Sequence, residues 1–201
     1  AIRELFKLLG KPGIISFAGG FPDSAMFDVD GIRAATERAL TEEPGAALQY
    51  GATEGYQPLR EQLSAFMASK GAQGVAPEQL IVTTGSQQAL DLLGKTMIGP
   101  GDKVIVEGPT FLATIQCFRL YGAEVISAPI DGDGVQVDAL EKLIAEHRPK
   151  LVYLIPTFGN PSGATLSLER RKKVLELAVK YQTLLVEDDP YVFFLMVQRP
   201  P

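Results

Sequence analysis

Four short stretches of the sequence carry residue types suited to one kind of ligand. At Thr83-Thr84-Gly85-Ser86-Gln87 a predicted strand passes into a predicted helix. The amides of Ser86 and Gln87 then stand at a helix N-terminus, where unpartnered N–H groups and the positive end of the helix dipole favour a phosphate. The Ser86 hydroxyl is a further donor, although the same pattern also makes an ordinary N-cap. Phe111, after Glu107-Gly108-Pro109-Thr110, can stack on a flat ring or simply fill core. Asn160, in Phe158-Gly159-Asn160-Pro161-Ser162-Gly163, offers an amide to a phenolate oxygen or a carboxylate, but Asn-Pro-x-Gly is also a common turn. Asp188, in Val186-Glu187-Asp188-Asp189-Pro190-Tyr191, can pair with a cationic ring nitrogen or shape an Asp-Asp-Pro turn. Singly, none of these decides. Together they follow the carboxyl ends of different predicted strands, where open parallel sheets collect ligands. The set describes a site for a phosphorylated, cationic aromatic ring.

The elements that must position these residues alternate between short apolar runs and helix-period segments. Strands are predicted at Leu80 to Thr84, Lys103 to Glu107, Glu124 to Ile130, Leu151 to Ile155 and Thr183 to Glu187. Between them lie helices with Ala89, Leu90, Leu93 and Met97 on one face, with Phe111, Ile115 and Phe118, and with Leu140, Leu143 and Ile144 behind an Asp138 cap and ending at Pro149. A last helix runs from the Ser167 cap to about Lys180. The strands are apolar throughout rather than alternating, as in a sheet covered on both faces, so the fold class is α/β with a mainly parallel sheet sandwiched by helices. Upstream lie a Gly/Pro-rich stretch, a helix near Ile32 to Leu40, a turn at Pro44-Gly45 and an amphipathic helix bearing Leu59, Leu63, Phe66 and Met67. This part reads as an N-terminal arm.

Composition removes several function classes. The chain has 201 residues and a net charge of −5, which gives no general attraction to nucleic acid or to an anionic membrane. One cysteine, Cys117, cannot form an internal disulfide, and one histidine, His147, excludes a His-rich metal site. No apolar run is long enough for a membrane span, and no signal peptide opens the chain. A soluble, cytoplasmic protein is expected. Gly94-Lys95-Thr96 is not a P-loop, since Ala89 stands where the motif needs glycine, and Asp131-Gly132-Asp133-Gly134 lacks the later ligands of a calcium loop. No GxGxxG follows the first predicted strand.

At these residues the sequence resembles the aminotransferase class I/II family, fold type I enzymes dependent on pyridoxal 5′-phosphate. The resemblance rests on Ser16-Phe17-Ala18-Gly19-Gly20-Phe21-Pro22, Gln49-Tyr50-Gly51, Thr84-Gly85-Ser86-Gln87-Gln88, Asn160-Pro161-Ser162-Gly163 and Glu187-Asp188-Asp189-Pro190-Tyr191, and it spans nearly the whole chain. It is most similar to the branch with 2-aminoadipate and kynurenine aminotransferases. The resemblance implies that Ser86 and Gln87 hold the cofactor phosphate, Phe111 stacks on the ring and Asp188 pairs with the ring nitrogen. It further implies that Asn160 and Tyr191 bond the phenolate oxygen, that Asn160 also meets the substrate carboxylate, and that Gly20 borders the substrate. Tyr50 would reach the phosphate of the neighbouring subunit in a homodimer. The implied layout is an arm and part of a small domain over 1–48 and an incomplete cofactor-binding large domain over 49–201. The family's Schiff-base lysine is expected beyond the chain, because Lys95, Lys103, Lys150 and Lys180 lie outside its Ser-rich motif. The implied activity is transfer of an amino group from an L-amino acid to a 2-oxo acid such as 2-oxoglutarate. A cofactor-sensing domain of a transcription regulator and a lyase on the same fold remain alternatives.

Overall fold

The computed structural model describes residues 22–191, which divide between Pro77 and Glu78 into two compact units. The motif around Gly20 lies outside the described residues.

The first unit is helical and held by local polar bonds. The Asp28 carboxylate accepts from the Gly31 amide at 2.9 Å and caps α1 (Val29–Glu42). The expected turn at Pro44-Gly45 is instead the start of a short helix, α2 (Pro44–Leu48). Proline's fixed φ and missing N–H suit the first helical position, where no hydrogen bond is lost. In α3 (Gln57–Ser69) the one buried residue is Arg60. Its guanidinium donates to the carbonyl oxygens of Gly55 at 3.2 Å and Pro77 at 3.0 Å, and to the Gln57 side chain.

The second unit is a three-layer sandwich. Its elements are α4 (Gly85–Met97), β1 (Lys103–Gly108), α5 (Leu112–Leu120), β2 (Glu124–Asp131), β3 (Gly134–Val135), α6 (Val137–His147), β4 (Leu151–Leu154), α7 (Leu168–Tyr181) and β5 (Leu184–Glu187). The strand order is β3-β2-β1-β4-β5, parallel except for the β2–β3 hairpin. Successive side chains of a strand point to opposite faces. Leu151, Tyr153 and Ile155 therefore join Val104, Val106, Leu90 and Phe118 on the face covered by α4 and α5. Val152 and Leu154 join Ile105, Leu140, Ile144, Val174 and Leu177 on the face covered by α6 and α7.

Two local expectations are corrected. Leu80 to Thr84 forms no strand, because a strand exists only through a neighbour's ladder and none of β1 to β5 offers it one; Ile81 is left 64% exposed. Asp138 is not the cap of α6 but lies within its first turn, where its charge still suits the helix dipole; Gln136 occupies the cap. The α6 terminus at Arg148, in the left-handed region with φ 49, is explained by Pro149, which disfavours helical backbone in the residue before it. Gly94 is a packing glycine: a Cβ there would collide with the Tyr121 ring, whose hydroxyl donates to Asp91 of the same helix at 2.7 Å.

Candidate functional site

β1 and β4 are hydrogen-bonded neighbours, yet their connections leave in opposite directions. The chain after β1 passes through α5 to β2 on one side, and the chain after β4 passes through α7 to β5 on the other. Such a divergence opens a crevice at the carboxyl ends of the strands. A cavity of about 190 Å³ lies there, lined by Ser86, Phe111, Ile155, Asn160, Asp188, Pro190 and Tyr191. Four residues singled out for separate chemical reasons, Ser86, Phe111, Asn160 and Asp188, thus line one cavity, joined by Tyr191, to which the family resemblance pointed.

Each is placed by a nearby element. Ser86 sits in the first turn of α4, which starts at Gly85 with φ 75. No side chain caps this terminus. The Gly85 amide donates to the Thr83 carbonyl at 2.9 Å, and the Ser86 and Gln87 amides, which a helix cannot satisfy itself, are left for water or a ligand. The Gln88 side chain accepts from the Thr84 amide at 2.5 Å and so braces the turn from behind. Gln87 belongs to the same turn but does not line the cavity. Phe111 is half-buried in the cap position of α5, against the core. Asn160 sits in a loop closed on itself, where the Gly159 amide donates to the Ala164 carbonyl at 2.8 Å and the Gly163 amide to the Gly159 carbonyl at 2.6 Å.

Asp188 follows β5 directly, and its amide donates to the Leu154 carbonyl at 2.9 Å. One of its carboxylate oxygens, Oδ2, accepts from the Tyr153 hydroxyl at 2.6 Å. Burial drives the Tyr153 pKa well above the usual tyrosine range; the bond to Asp188 and the charges of Asp188 and Glu107 add to this, and the Thr114 hydroxyl opposes it. On the other side of β4, the Glu107 carboxylate accepts from the Ile155 amide at 2.8 Å, extending the β1–β4 ladder past its last backbone pair. Burial pushes the Glu107 pKa up to about 7, and the Ile155 N–H partly offsets it.

Tyr153 and Glu107 are absent from the residues that sequence patterns pointed to. The available signal was chemical: a tyrosine or a glutamate inside a continuously apolar strand must find a buried partner. Tyr50 lies in the first unit, where its side chain is 99% exposed. Among the described residues no group of His, Cys, Asp or Glu could hold a metal ion, and no helix is long and apolar enough to cross a membrane.

The doubly covered parallel sheet thus carries an uncapped helix N-terminus, an aromatic side chain, an amide and a carboxylate around one crevice at its strand ends. The chain belongs to the aminotransferase class I and II family, whose model matches residues 13–199. It is 44% identical over 195 residues to aromatic-amino-acid aminotransferase 1 of Thermococcus litoralis, covering 94% of this chain and 47% of that protein. The kynurenine aminotransferase of Pyrococcus horikoshii, solved in complex with PMP, superposes with a TM-score of 0.87 at 42% identity, covering 94% of this chain and 48% of that one. The α-aminoadipate aminotransferase LysN of Thermus thermophilus, complexed with N-(5′-phosphopyridoxyl)-L-leucine, gives a TM-score of 0.85 at 40% identity, covering 98% and 48%. The fold is thus that of the fold type I enzymes, and the aminoadipate and kynurenine branch is represented among the relatives. The chain spans about half the length of the curated relatives it matches.

The cofactor of this family is pyridoxal 5′-phosphate, and the residues present fit it. Uncapped amides suit a phosphate, an aromatic edge of the cavity suits the ring, and a carboxylate bonded by Tyr153 on one oxygen suits a cationic nitrogen.

Proposed function

We propose that the whole protein is a pyridoxal-phosphate-dependent aminotransferase that moves an amino group from an L-amino acid to a 2-oxo acid such as 2-oxoglutarate. The observation that carries this reading is the convergence of Ser86, Phe111, Asn160, Asp188 and Tyr191 on one crevice at the strand ends. When bound, the cofactor supplies a ring that withdraws electrons from the substrate's α-carbon and carries the amino group between substrates.

The chain's own residues hold and polarise that ring. The Ser86 and Gln87 amides, with the Ser86 hydroxyl, bind the phosphate. Phe111 stacks on the ring and excludes water from one face. Asp188 keeps the ring nitrogen protonated, since an opposite charge nearby favours the charged form. Asn160 and Tyr191 donate to the phenolate oxygen, and Asn160 also receives the substrate carboxylate; the role of Gly20 in bordering the substrate rests on the family resemblance alone. Tyr50 binds the phosphate of a partner subunit in a homodimer, a role that suits its full exposure in the single chain. Cys117, buried and unpaired, favours a reducing, cytoplasmic compartment.

The test is amino-group exchange by the full-length protein. With saturating cofactor, a 15N-labelled L-amino acid should pass its label to 2-oxoglutarate. Absence of both cofactor binding and label transfer across a panel of amino acids would reject the reading.

A further inference from the structure

We propose that Tyr153 is a positioning residue for Asp188, its hydroxyl fixing that carboxylate in place to pair with a cationic ring nitrogen. This rests on the reading of Asp188 given above and deepens it.

Asp188 begins the loop after β5, whereas Tyr153 belongs to the middle of the sheet. Tyr153 is fully buried and stands in register with Val106 of β1 and Val186 of β5, so its backbone is paired on both sides. Its ring meets Phe118 edge-on, with centroids 6.1 Å apart and planes at 87°. The residues that follow are pinned as well, by Ile155 N–H to Glu107 and Asp188 N–H to Leu154. A rigid donor therefore meets a carboxylate that starts a loop, across 35 residues of sequence, at 2.6 Å. That length is typical of a charge-assisted O–H···O⁻ bond.

The phenol stays protonated, because burial keeps its pKa above the usual range. It therefore serves as the donor in this pair. A hydrogen bond made to the charged form favours that form. Shared between Asp188 and a ring nitrogen, a proton is thereby kept on the ring.

The test uses the full-length protein loaded with pyridoxal 5′-phosphate labelled with 15N at the ring nitrogen. Tyr153→Phe keeps the ring against Phe118 and removes only the hydroxyl. The 15N shift should move from the protonated toward the unprotonated value, with kcat down about tenfold and KM little changed, as expected for loss of one charge-assisted bond. If Tyr153→Phe does not fold, Tyr153→4-aminophenylalanine retains a weaker donor and should give an intermediate shift. A 15N shift and kcat equal to wild type in the folded variant would overturn the proposal. Failure of the underlying reading looks different: the wild-type ring nitrogen would be unprotonated, or Asp188→Asn would leave its signal unchanged.

Discussion

Residues 22–77 and 78–191 are stabilised in different ways. Every buried hydrophobic side chain among the described residues belongs to the second unit, where both faces of the sheet are covered. In the helices of the first, the only buried residue is Arg60, held by two backbone carbonyls and Gln57. The second unit thus draws on burial of apolar surface, and the first on caps and polar bonds. The difference bears on function. The crevice proposed to hold the ring is built on strand ends anchored in a core, as precise positioning requires. Tyr50, fully exposed among the described residues of the first unit, suits the partner contact proposed for it.

The largest expected effect separates the two regions by chemistry. Asp188→Asn should lower kcat by roughly two to three orders of magnitude with cofactor still bound, because the ring loses its counter-charge. Tyr50→Phe should instead weaken cofactor binding by about tenfold, the loss of one hydrogen bond to a phosphate, with a smaller change in kcat. Steady-state rates and equilibrium dialysis separate the two, and equal kcat losses would remove the distinction. Packing comes next. Phe118→Ala, at a fully buried position, should cost about 3–5 kcal/mol in urea unfolding of the full-length protein. Phe66→Ala, at a position 46% exposed, should cost under about 1 kcal/mol. Similar losses would break the contrast.

Glu107 gives a pH signature to the second unit. Its pKa is raised from 4.5 to about 7 on folding, so the folded state binds its proton more tightly than the unfolded state does. Its contribution is most favourable below pH 4.5, declines as pH rises to about 7, and is flat above, by at most roughly 3 kcal/mol. Glu107→Gln retains an oxygen to accept from Ile155 and should remove that decline, leaving the variant as stable as wild type or more so at pH 8. A wild-type slope that persists in the variant would assign it elsewhere. A further small effect is at α7, where the Ser167 hydroxyl accepts from the Arg170 amide at 3.4 Å. Ser167→Ala should cost about 1 kcal/mol, read as a small drop in melting temperature.

The sheet was largely legible because strands covered on both faces must be apolar throughout, a pattern carried plainly by Val104 to Val106 and Leu151 to Leu154. Leu80 to Val82 has the same composition, but composition does not supply a neighbour, so it misled. Ser86, Phe111, Asn160 and Asp188 could be found because ligand-binding chemistry follows strand ends, Tyr191 came only with the family resemblance, and the structure lines one cavity with all five. Tyr153 could not be found that way. Its partner lies two elements downstream, and only the β4–β5 register, with Tyr153 opposite Val186, brings hydroxyl and carboxylate together. The roles of Tyr50 and Gly20 rest on family resemblance, since no local pattern at either position points to a phosphate or a substrate.

The central claim is that the crevice at the ends of β1, β4 and β5 binds a phosphorylated, cationic ring through the uncapped start of α4. Pyridoxamine 5′-phosphate, which needs no covalent link to lysine, is the direct probe. Its dissociation constant should be measured by fluorescence titration on the full-length protein and on Ser86→Glu, which brings a carboxylate to the phosphate site. The account predicts affinity at least about a hundredfold higher for pyridoxamine 5′-phosphate than for pyridoxamine, and loss of that preference in Ser86→Glu. Equal affinity for the two compounds, or a Ser86→Glu variant that binds like wild type, would contradict it.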